Sequence, residues 1–138
     1  MIVRKILMGL TVFVAGCAAE VSLLEVPVAD AGNIQNIYFM TTRKPDAEGA
    51  VFGVERASQP SYGLIEVGIP EAHSKGQVET ASKTPDPGKH FVNAGVTMMG
   101  STGEFIKQIS EQDGHIVVFV HGYNTSFAES SFRFAQIV

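Results

Sequence analysis

His115-Ile-Val-Val-Phe-Val-His121-Gly122-Tyr123-Asn124-Thr125-Ser126 is the stretch that decides the fold of this 138-residue chain. From Ile116 to Val120, β-branched and aromatic residues follow one another without polar alternation, the pattern of a strand covered on both faces inside a parallel sheet. His121-Gly122 ends the run. Ser126-Phe-Ala-Glu129 then matches a capping box, in which a serine oxygen and a glutamate satisfy orphan amides of a helix's first turn. Strand, tight loop and capped helix put backbone amides at the carboxyl edge of a parallel sheet, where open α/β sheets bind ligands. The expectation is therefore an α/β fold, with Phe127, Phe134, Ala135 and Val138 recurring at helical spacing. No C-capping glycine and no Lys or Arg in a last turn is read before Val138, so the chain is expected to stop inside this helix.

Upstream, Ser101-Thr-Gly-Glu104 is another capping box, followed by an apolar stripe of Phe105, Ile106 and Ile109 and a stop at Asp113-Gly114. Asn36 to Thr42 is rich in β-formers and closes with Arg43-Lys44-Pro45-Asp46, which predicts a first strand. Tyr62 to Ile69, stopped by Pro70, predicts a second, and Phe91 to Thr97 a short third. Between them, Ser74-Lys75-Gly76 and Thr84-Pro85-Asp86-Pro87-Gly88 mark Glu71 to Lys89 as a long surface loop, with His73 and His90 in solvent. Ala18 to Gln35 shows no period and reads as a tether, although Val21-Ser-Leu-Leu-Glu-Val26 has some capacity to pair.

The first sixteen residues read as a targeting segment. Arg4 and Lys5 form a basic start, and Ile6 to Val14 is an apolar run of signal-peptide length, too short to span a bilayer as a helix. Val14-Ala15-Gly16-Cys17 resembles the bacterial lipobox, which implies cleavage before Cys17 and lipid on its thiol. Cys17 is the only cysteine, so an internal disulfide is excluded; the alternative to lipidation is an unpaired thiol. Ala18, in place of Asp, resembles the outer-membrane sorting pattern of Gram-negative bacteria. The expected division is 1–16 signal peptide, 17–35 tether and 36–138 folded part. The net charge is −4, and cleavage would remove Arg4 and Lys5 but no acid, leaving 8 basic and 14 acidic side chains and a charge of −6. Such a surface repels phosphate, which argues against nucleic acid and anionic lipid headgroups as partners. The membrane would then be reached through the Cys17 lipid.

Val118-Phe-Val-His121-Gly122-Tyr123-Asn124-Thr-Ser126-Phe127 resembles the segment after the third strand of α/β-hydrolases, in particular a bacterial branch of uncharacterised esterase/lipase-like lipoproteins. Tyr38-Phe-Met-Thr-Thr-Arg43 and Tyr62-Gly63-Leu-Ile-Glu-Val-Gly-Ile-Pro70 are similar to strands of the same branch. The resemblance implies an incomplete α/β-hydrolase sheet: first strands, one connecting helix, the His-Gly strand and the start of the next helix. It also implies nucleophilic acyl transfer to a small ester or related acyl substrate. On the same basis His121, Gly122 and Asn124 shape the loop, and the Tyr123 amide is an oxyanion donor. The family's nucleophile sits in Gly-x-Ser-x-Gly, with its acid and base later in the chain. No serine here is flanked in that way. No catalytic triad residue is therefore assigned, and the chain alone is expected to be inactive. Scattered histidines give no metal-ligand spacing, and no cofactor is implied. A non-catalytic envelope lipoprotein that uses the scaffold for binding is the alternative.

Overall fold

The computed structural model describes residues 21–46 and 52–138, so the expected signal segment and Cys17 lie outside the described residues. Three strands, β1 (Asn33–Pro45), β2 (Phe52–Ile69) and β3 (Val92–Met99), form an antiparallel sheet with β2 in the centre. Two helices follow, α1 (Thr102–Ser110) and α2 (Phe127–Ala135). This is an incomplete α/β arrangement, and each of the three expected strands overlaps one of the observed ones.

Strand alternation assigns one helix to each side of the sheet. Ile37 and Phe39 of β1 are buried and face α2, where Phe39 meets Phe127 edge to face at 5.1 Å. Tyr38, pointing the other way, meets Phe105 of α1 at 6.3 Å, and Tyr62 meets the same ring at 5.1 Å. The α2 side is the true core, holding Ile65, Val67, Phe91 and Phe132. No residue of α1 is buried, and Ile106 of its expected stripe is exposed. On α2 the buried face is Phe127, Ala128, Ser131, Phe132 and Ala135. Phe132 takes the inward place expected of Phe134 and Val138, because the i, i+1, i+4, i+5, i+8 spacing faces the sheet.

The serine half of each expected capping box forms, while neither glutamate bonds the amide of its own cap residue among the described residues. Ser101 Oγ accepts from the Glu104 amide at 3.2 Å and Ser126 Oγ from the Glu129 amide at 3.1 Å. Glu104 reaches back to the Gly100 amide at 2.8 Å, one residue before the cap. Helix α2 ends at Ala135, with Arg133 in its last turn and Gln136 as C-cap. The expectation of a helix still running at Val138, with no basic residue at its end, is corrected by this geometry.

The second correction concerns residues 21–35, expected to be a tether. Leu23 and Ala31 are buried, and Glu25 bridges Asn93 in parallel. Asn93 is the fully buried anchor. Its amide donates to the Leu24 carbonyl at 2.9 Å, its carbonyl accepts from Val26 at 3.0 Å, and its Nδ2 donates to Glu25 at 3.3 Å. The side-chain oxygen also accepts from Gly95 at 3.1 Å, closing the bulge where the β2–β3 register shifts. The segment docks because this edge of β3 offers backbone groups that would otherwise go unpaired. Gly68 lets it approach: a Cβ there would meet the Ala31 carbonyl oxygen and stand 2.6 Å from Val92 Cγ2.

The third correction falls on the deciding stretch itself. Residues 115–120 form no ladder with any described strand and take no regular structure. Val118 is 81% exposed and Val120 85%. Phe119 alone finds an aromatic neighbour, stacked on Phe134 at 5.5 Å. A β-rich sequence makes a strand only where another backbone supplies hydrogen bonds, and the three described strands supply none to it.

Candidate functional site

Thr125 and Ser126 connect the irregular stretch to α2, and three contacts fix that end of the loop. Ser126 caps the helix. Phe127 wedges between Phe39 and Phe52, with ring centroids at 5.1 and 4.9 Å, while Phe39 and Phe52 stand 5.5 Å apart. Arg43 of β1 spans to the loop: one guanidinium nitrogen donates to the Thr125 carbonyl at 2.7 Å and the other to the Gly53 carbonyl at 3.0 Å. Arg43 sits where the β1–β2 register shifts on both sides, which lets its side chain leave the ladder. Residues 57–60 of β2 fall in that interruption, so Pro60, which has no N–H to give, costs the sheet nothing there.

Within the loop, His121 Nδ1 lies 2.8 Å from the Gly122 carbonyl oxygen. A carbonyl only accepts, so Nδ1 is the donor in this contact. Tyr123 is fully exposed, and its amide has no partner among the described residues. Asn124 is also exposed and makes no side-chain hydrogen bond among the described residues. The four loop residues therefore stand together, and none of their backbone amides, Tyr123's included, has a partner among the described residues.

They face a cleft of about 850 Å³ bounded by residues 121–126, β1 at Met40, Thr41, Thr42 and Arg43, β2 at Val54 and Arg56, and Glu129 of α2. Arg43 and Arg56 are both in its wall. Neither position was singled out as a site residue in the sequence, because the contact between Arg43 and Thr125 joins residues 82 apart and has no local signature. A second cleft, about 380 Å³, runs from Gln59 to Thr102 and includes Ser101, which is committed to capping α1.

The remaining histidines are distributed differently from expectation. His73 is not in solvent: its Nδ1 is 2.9 Å from Glu79 Oε2, and its ring meets Phe91 edge to face at 5.1 Å. The Pro/Gly-rich loop folds back on the core at this point, so the histidine is covered. Burial pushes the Glu79 carboxyl up, but the hydrogen bonds from His73 and the Ser74 amide outweigh it and leave Glu79 below its ordinary value. His90 is half-buried and accepts from the Asp86 amide at 3.1 Å. Lys89 and the Gly88 amide hold the Asp86 carboxyl low. His115 is exposed in the irregular stretch. Among the described residues no three His, Cys, Asp or Glu side chains converge as a metal site requires.

Comparison with known families bears on this segment. Residues 99–138 match the family described as an alpha/beta hydrolase of unknown function (DUF900). The matched span holds α1, the His121–Asn124 loop and α2, and so supports a hydrolase-like scaffold around the cleft. No curated protein and no solved structure matches the chain.

Proposed function

We propose that this chain supplies the oxyanion half of an acyl-transfer site in a lipid-anchored serine hydrolase that cleaves an ester or related acyl bond. The observation that carries the reading is the unpartnered Tyr123 amide on a loop braced by Arg43 and the α2 cap, within the span similar to α/β hydrolases. A backbone donor held in place before the reaction stabilises the tetrahedral oxyanion without reorganising when charge develops. The attacking serine, with its acid and base, comes from polypeptide outside these 138 residues. A serine-directed fluorophosphonate applied to the product of the whole reading frame should label one serine within Gly-x-Ser-x-Gly. No labelling of a folded product would sink the enzyme reading. It would favour a non-catalytic envelope lipoprotein with a binding cleft.

The anchor is the Cys17 thiol, and the location is the bacterial cell envelope, on the periplasmic face of the outer membrane in a Gram-negative cell. Radiolabelled palmitate should enter the wild-type protein and not Cys17→Ser. Equal labelling of the two would dispose of the anchor.

A further inference from the structure

We infer that the cleft beside the Tyr123 amide selects acyl substrates that carry an anionic group, held by Arg56 and supported by Arg43. The inference deepens the acyl-transfer reading and rests on it. The chain is acidic overall, with a net charge of −4, yet two arginines meet in the wall of this one cleft. Four other cations are neutralised by neighbours: Lys44 pairs with Glu55 at 3.0 Å, Lys89 with Asp86 at 2.8 Å, Lys107 with Glu111 at 3.8 Å and Arg133 with Glu129 at 3.0 Å.

Arg43 and Arg56 have no carboxylate partner among the described residues. Arg43 spends two donors on carbonyl oxygens, which carry no charge. Among the described residues Arg56 makes only a 3.5 Å approach to the Thr42 hydroxyl. A guanidinium has five N–H donors in a planar fork that suits carboxylate and phosphate oxygens. The two residues are Cα partners in the β1–β2 ladder, so both cationic side chains start from adjacent backbone positions in the cleft wall. Like charges at opposite positions of a ladder are unfavourable, and an anion bound in the same cleft offsets that cost. Among the described residues Glu129 is the one acid in the wall, and Arg133 already holds it.

The shared recognition chemistry is an anionic oxygen group at a fixed offset from the carbonyl being attacked. A monoester of a dicarboxylic acid has both parts. Monomethyl glutarate and dimethyl glutarate have the same skeleton and differ by one charge, so they separate anion selection from general ester binding. With the full ¹⁵N-labelled chain, the monoester should shift the amides of Gly122, Tyr123 and Asn124 and the side-chain signals of Arg43 and Arg56. The diester should bind at least about tenfold more weakly, the loss expected for one charge-assisted hydrogen bond.

Arg56→Gln should erase that preference, and Arg56→Lys should restore most of it. Weakening with added salt should follow for the monoester alone. Displacement by equimolar inorganic phosphate would assign the natural anion as a phosphate, and retention would assign it as a carboxylate. Equal affinity for the two esters, or a preference unchanged in Arg56→Gln, would overturn anion selection while leaving a serine labelled by fluorophosphonate untouched. Absence of binding by either ester would overturn it as well.

Discussion

Phe132→Ala should destabilise the folded chain by about 3–5 kcal/mol, the range for removing a buried phenylalanine ring. Phe132 is fully buried, and its ring lies 5.6 Å from that of Phe91, which closes the end of the long loop against the core. The sheet cannot collapse into the gap easily, because α2 is pinned at its start by Ser126 and Phe127. Urea unfolding followed by far-ultraviolet dichroism is the measurement, with Phe134→Ala as the comparison. Phe134 is half-buried and meets only the exposed Phe119 among the aromatic rings. Loss of less than about 1 kcal/mol on removing Phe132, or equal losses at both positions, would show that α2 does not carry the core. If the loss exceeds the chain's total stability, as a domain margin of about 5–15 kcal/mol permits, the variant will be unfolded without urea.

The second large effect concerns chemistry. In the polypeptide that carries the attacking serine, Tyr123→Pro should lower kcat for p-nitrophenyl ester hydrolysis by about 100-fold to 1000-fold, the usual consequence of losing one oxyanion donor. KM should change little, since the donor acts mainly on the charge of the transition state. Tyr123→Phe and Tyr123→Ala keep the amide, and the exposed ring has no aromatic partner among the described residues, so both should stay near wild-type rate. A large loss in Tyr123→Phe with a small loss in Tyr123→Pro would refute the amide's role and point to the phenol.

What was legible in the sequence was what neighbouring residues determine together. Ser101 with Glu104, and Ser126 with Glu129, marked both helix starts because a cap is a contact over three residues. Tyr62 to Ile69, ended by Pro70, marked the central strand for a similar reason. Contacts between distant residues left no such trace. Asn93 looks like an ordinary polar residue in a strand, yet it holds residues 24–26 against the sheet edge. His73 looks like loop, and Glu79 with Phe91 covers it.

The stretch from His115 to Val120 marks the limit most clearly. Its residue types have the preference for extended backbone, but preference without a pairing strand does not make a ladder. At the cleft, the loop residues His121 to Asn124 were named as candidates from the sequence, while Arg43 and Arg56 were not assigned a role. Their importance comes from the bulged register that brings them to one cleft.

The aromatic trio of Phe39, Phe52 and Phe127 has a consequence for how this site can change over time. Phe127 is both a core side chain and the first residue of α2, so the volume of Phe39 and Phe52 sets where the helix begins. Any substitution that shrinks or swells the trio also moves the carbonyl of Thr125 relative to Arg43 and, with it, the direction in which the Tyr123 amide points. Core and loop are therefore not free to drift separately: a change of size at Phe39 or Phe52 must be answered at its partner ring to keep the loop in place.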